Sequence, residues 1–86
     1  MLFYVIMENN NYKKFMLLAI EEAKLASKNG EVPVGAVTVY NSNVIAKSGN
    51  LMVKYSDPLM HAEMIVLKRS SEILANMGLS IRHEKL

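Results

Sequence analysis

The sequence predicts an α/β domain laid out as helix, β-hairpin, helix. Three observations carry this. An apolar stripe recurs at steps of three and four from Tyr12 to Lys28. Two short β-rich runs follow, separated by Asn41-Ser42-Asn43. Asp57-Pro58 then opens a second apolar segment that reaches Asn76.

In the first helix, Tyr12, Phe15, Met16, Ala19, Ile20, Ala23 and Ala26 form one face, and Leu17 and Leu18 widen the side expected to be buried. Asn29-Gly30 is a helix stop, because both residues tolerate the left-handed backbone that ends a helix. Val34-Gly35-Ala36-Val37-Thr38-Val39-Tyr40 is β-branched and bounded by Pro33 and Asn41, so it reads as a strand. Gly35 and Ala36 are small where a strand normally carries bulk, which lets either a ligand or a packed helix come close. Val44 to Ser48 returns as the antiparallel partner, and Gly49-Asn50 ends it. Residues 51–56 are a loop.

Asp57 suits an N-cap and Pro58 the first helical position, so the second helix is expected from about Pro58 to Asn76, stopping at Asn76-Met77-Gly78. Its first half is apolar nearly all round, and Ile65, Val66 and Leu67 are expected on an uncovered flank. Residues 79–86 show no period, and His83 reads as a surface histidine. The expected organisation is an N-terminal tail over 1–11 and one partial domain over 12–86. Met7 is an alternative start.

The 86 residues allow one small domain, and a hydrophobic fraction of 51% excludes a disordered tail. Ten basic against eight acidic residues give a mild positive balance without a clustered patch, which fits an RNA partner but does not argue for one. The absence of cysteine excludes disulfides and thiolate ligands from this sequence. The apolar start is too short to span a membrane and lacks a signal-peptide pattern, so a cytoplasmic location is expected.

The polar anomaly is His61-Ala62-Glu63 in the middle of the greasy segment. Neutral imidazole is a standard zinc ligand, and a glutamate beside an activated water can take a proton and return it. Side chains two apart on a regular helix point about 200° away from each other. The pair can converge only if His61 sits at the very start of the helix. The plainer reading is a histidine bonded to a backbone carbonyl beside an exposed glutamate.

Taken together, Gly30-Glu31-Val32-Pro33-Val34-Gly35-Ala36-Val37 and Asp57-Pro58…His61-Ala62-Glu63 resemble the zinc-dependent cytidine/deoxycytidylate deaminase superfamily. Within it they are most similar to the bacterial tRNA-specific adenosine deaminases. The resemblance runs from Tyr12 to Leu74 and implies the N-terminal portion of a cytidine-deaminase-like α/β/α fold. It makes His61 the histidine ligand of zinc and Glu63 the proton-shuttling glutamate. Asn50 becomes a contact to the substrate nucleoside, and Pro33, Val34 and Ala36 the wall of the base pocket. The implied reaction is hydrolytic conversion of the wobble adenosine of a tRNA anticodon loop to inosine, with loss of ammonia, in a homodimer.

The family signature also needs a later Pro-Cys-x-x-Cys, and the sequence has no cysteine. The resemblance therefore implies a truncated form, inactive alone and completed by a C-terminal half. Leu59-Met60 before His61 and Gly49 before Asn50 also depart from the family pattern. Two alternatives stand beside it: a non-catalytic remnant or interaction module, and a deaminase of a free nucleoside, cytosine or guanine.

Overall fold

The computed structural model describes residues 2–7 and 12–77. Its elements are strand β1 (Leu2–Met7), helix α1 (Tyr12–Lys28), strands β2 (Val34–Tyr40) and β3 (Asn43–Gly49), and helix α2 (Ala62–Asn76). The expected helix, hairpin and helix are all present, in the α/β arrangement. The expectations for Gly78 and His83 fall outside the described residues.

β2 is the central strand. β3 pairs with it antiparallel and β1 pairs with it parallel, Leu2 opposite Val34 through Met7 opposite Val39. No element was expected before Tyr12, so β1 adds a strand to the predicted hairpin. The hairpin closes through Asn41 and Ser42, both with positive φ, the backbone of a two-residue turn matched to strand twist. The register skips Ile45 between the Thr38–Ala46 and Val39–Val44 pairs, a one-residue bulge in β3.

Alternation along β2 assigns each helix to its own face of the sheet. Val37 and Val39 pack with Phe15 and Ala19 of α1. Val34 and Ala36 pack with Ala46 of β3 and with Ala62 and Val66 of α2. Gly35 lies on the α1 face, and an added Cβ there would fall 2.0 Å from the Ala19 carbonyl oxygen and 2.6 Å from the Ala23 nitrogen. Its register partner Gly49 is similarly tight, with Ala26 Cβ and the Glu22 carbonyl oxygen each at 2.8 Å. The two glycines form a flat seat for the alanine stripe of α1. Of the two sequence readings of Gly35, the packed helix is the one realised.

Gly30, at φ +80°, ends α1 as expected: its N–H donates to the Ser27 carbonyl, and the Glu31 N–H to the Ala26 carbonyl. Two burial expectations change. Leu17 lies on the solvent side of α1, 58% exposed. Ile65 and Val66 are buried, because α2 lays that face on the sheet, while Leu67 is half-buried. The outward flank instead shows Met64 and Ile73.

Candidate functional site

α2 starts at Ala62, four residues after the expected Pro58. The reason lies in Asp57-Pro58, whose residues suit positions i and i+1 of a β-turn as well as a helix start. Here they make the turn: the Met60 N–H donates to the Asp57 carbonyl at 3.2 Å, and the Leu59 N–H to Asp57 Oδ1 at 2.9 Å. The N-cap is therefore His61 itself, in extended backbone (φ −78°, ψ 144°), with no side-chain capping bond. Its carbonyl accepts the first helical bond, from Ile65. This meets the condition set by the spacing of His61 and Glu63, since His61 stands outside the helical repeat.

Glu63 occupies the first turn of α2, where a carboxylate complements the helix dipole. Its Oε1 is buried and has no hydrogen-bond partner among the described residues. A buried carboxylate oxygen costs free energy unless something donates to it, so this atom marks where a partner belongs. The plain reading of Glu63 as an exposed surface residue does not hold.

Asn50 is 1% exposed, and its Oδ1 accepts from the Ala62 N–H at 2.8 Å. The end of β3 thereby supplies the cap that His61 does not. The Asn50 N–H also donates to the Val34 carbonyl at 3.1 Å. Val34 and Ala36 lie in the apolar layer that contacts Ala62 and Val66, and Pro33 is half-buried just ahead of them. Of the residues singled out from the sequence, Asn50, Val34 and Ala36 thus lie with His61 and Glu63 around the start of α2.

Glu31 received no individual role in the sequence reading. It is 6% exposed, and its two carboxylate oxygens accept the backbone N–H groups of Val53 and Lys54, each at 2.9 Å. A buried carboxylate beside the leading N–H groups of a turn is satisfied in this way. The signal available in the sequence was a charged residue directly before a β-rich run. A cleft of about 540 Å³ runs along this side of the fold, lined among others by Glu31, Lys47, Asn50, Lys54 and Arg69. Neither His61 nor Glu63 lines it.

A catalytic zinc takes three protein ligands. Among the described residues no three His, Cys, Asp or Glu side chains come together as a metal site. One imidazole and one carboxylate do not fit the ion unaided. No helix among the described residues is long and apolar enough to cross a membrane.

Comparison with known proteins places the chain in a family. The chain is 43% identical over 67 residues to a tRNA-specific adenosine deaminase of Buchnera aphidicola subsp. Baizongia pistaciae, covering 78% of this chain and 41% of that protein. It is 42% identical over 65 residues to the tRNA-specific adenosine deaminase of Bacillus subtilis, covering 76% of this chain and 40% of the relative. A solved structure from a study of A-to-I editing by tRNA:A34 deaminases superposes with a TM-score of 0.73 at 41% identity. That match covers 77% of this chain and 51% of the solved one. The chain spans about two fifths of the length of these curated relatives. The family model for the cytidine and deoxycytidylate deaminase zinc-binding region matches residues 9–81, and the chain belongs to that deaminase family.

Proposed function

We propose that this chain is the His61- and Glu63-bearing part of a hydrolytic deaminase acting on adenosine at the wobble position of tRNA, completed by ligands from outside this sequence. The carrying observation is the buried Glu63 Oε1, without a partner among the described residues, in the first turn after an extended His61. The similarity to tRNA-specific adenosine deaminases supports adenosine in tRNA as the substrate. In the reaction the C6–N6 bond of adenine breaks, a C6–O bond forms and ammonia leaves. Glu63 accepts the proton of the attacking water and returns it to the departing nitrogen. Asn50 meets the nucleoside, and Pro33, Val34 and Ala36 wall the base. His61 would be one ligand of the zinc characteristic of the family, with the remaining ligands supplied by a complementing segment. Assembly as a homodimer and residence in the cytoplasm belong to the same reading.

The test is reconstitution. Co-expression with a relative's segment bearing Pro-Cys-x-x-Cys is expected to give a complex that holds zinc and forms inosine in tRNA. Glu63→Ala should keep the complex and lose nearly all turnover. A mutant with near wild-type rate would remove Glu63 from the chemistry. Deamination of only free nucleosides or bases would overturn the substrate.

One observation favours a second reading, a non-catalytic interaction module: no metal-sized ligand cluster forms among the described residues. A complex that assembles without zinc or activity would establish it. The chain alone, dialysed against chelator, is expected to retain no stoichiometric zinc by elemental analysis.

A further inference from the structure

We infer that Glu31 is a positioning residue for His61, acting through the loop between β3 and α2. Its functional meaning rests on His61 being part of the deaminase site; its physical content does not.

The loop from Leu51 to Met60 has little core to hold it, since Val53, Tyr55 and Leu59 are all more than half exposed. It is organised by hydrogen bonds. Residues 52–56 form a hydrogen-bonded turn, closed where the Tyr55 N–H donates to the Leu51 carbonyl, the Ser56 N–H to the Val53 carbonyl and the Asp57 N–H to the Met52 carbonyl. The leading N–H groups of such a turn have no partner within it. Glu31 supplies both acceptors, one oxygen to Val53 and the other to Lys54. A carboxylate with an oxygen on each of two successive amides fixes the orientation of the turn as well as its position.

The constraint passes on toward His61 through the backbone. The Leu51 N–H donates to the Met60 carbonyl at 3.0 Å, which ties the two ends of the loop together. The His61 N–H donates to the Leu59 carbonyl at 2.9 Å. Asn50, directly before the loop, caps α2 at Ala62, directly after His61. The extended backbone of His61 is therefore fixed from the helix side by Asn50 and from the loop side by the turn that Glu31 grips. Glu31 itself is anchored in the reversal after α1, by its own N–H on the Ala26 carbonyl. The α1–β2 corner thus sets where the histidine sits.

The inference is tested on the full metal-free chain by amide hydrogen exchange and by the His61 ring resonances in NMR spectra. Glu31→Gln keeps shape but turns an NH2 toward one of the two amides, and a hydrogen bond to a charged group is lost. Exchange at Val53 and Lys54 is expected to rise about tenfold or more. The Ala62 amide and the His61 ring signals should shift with it, while the Phe15 and Val37 amides stay unchanged. Glu31→Asp, which keeps the charge but withdraws it by one methylene, should give the same signature.

A response confined to Val53 and Lys54, with His61 unmoved, overturns the inference. So does loss of protection at Phe15 and Val37 in both variants, which would make Glu31 a global stability residue. Neither outcome depends on turnover. A failed reconstitution of deaminase activity leaves this result standing, and a silent His61 leaves the deaminase reading standing.

Discussion

The two faces of the sheet are built by different rules. On the α1 face, Gly35 and Gly49 let the helix backbone sit directly on the strands, and the buried side chains are Phe15, Ala19, Ala23, Ala26, Val37 and Val39. On the α2 face, buried polar groups do much of the holding. Thr38 Oγ1 meets Ser70 Oγ at 2.5 Å, Asn50 caps Ala62, and Glu63 keeps an oxygen without a partner among the described residues. Close apolar packing has one solution and tolerates little change in volume. A polar face has donors and acceptors to spare, and a site can be made from them. His61 and Glu63 sit at the start of the helix that covers this second face.

The largest expected effect breaks the α1 face. Gly35→Ala puts a methyl group against the backbone of Ala19 and Ala23, which no side-chain rotation can relieve. We expect a loss of about 3 kcal/mol or more, enough to unfold much of a domain this small, read as lost amide protection and a collapsed urea transition. Gly49→Ala, with 2.8 Å contacts, should cost less. If Gly35→Ala melts like the parent, the helix is not seated on that glycine.

The next effect is on the α2 face. Asn50→Ala removes the acceptor of the buried Ala62 N–H and is expected to cost roughly 1–3 kcal/mol in urea unfolding. Ser70→Ala should cost about 1 kcal/mol, since Thr38 Oγ1 still donates to the Ala46 carbonyl. The Thr38→Val, Ser70→Ala pair should recover part of that loss, because no buried hydroxyl is then left half-satisfied. A double mutant as costly as the two single ones added together would show that the hydrogen bond is not the link between β2 and α2.

The contrast also explains what was readable beforehand. The helical stripe from Tyr12, the Gly30 stop, the β-branched run of β2 and the Asn41-Ser42 turn are local signals, and each appears where its chemistry places it. Asp57-Pro58 is local too, but it serves a β-turn and a helix start equally, and the Oδ1 and carbonyl bonds of Asp57 settle it as a turn. The roles of Glu31 and Asn50 are long-range. Their partners lie 22 and 23 residues away for Glu31 and 12 for Asn50, distances at which no periodicity reports. Leu17 failed as a core residue for another reason: a helix resting on glycines presents only a narrow stripe, and alanines suffice to fill it. His61 and Glu63 were visible as anomalies, but whether their spacing allows convergence depended on a helix start that only the fold could fix.

The smallest expected effect sharpens the comparison at the loop serving the α2 face. Ser56 ends the turn at φ 50°, in the left-handed region that disfavours a residue with a Cβ, and it is exposed. Glycine adopts that backbone without the penalty but adds freedom to the unfolded chain, so the two terms partly cancel. Ser56→Gly should leave a net gain of roughly 0.5–1 kcal/mol, read as a higher urea midpoint with an unchanged slope. The gain requires the turn to be held in its present form by Glu31, so it should shrink in the Glu31→Gln background. An equal gain in both backgrounds would mean that Ser56 is strained regardless of the clamp, and that the turn keeps its shape without the carboxylate.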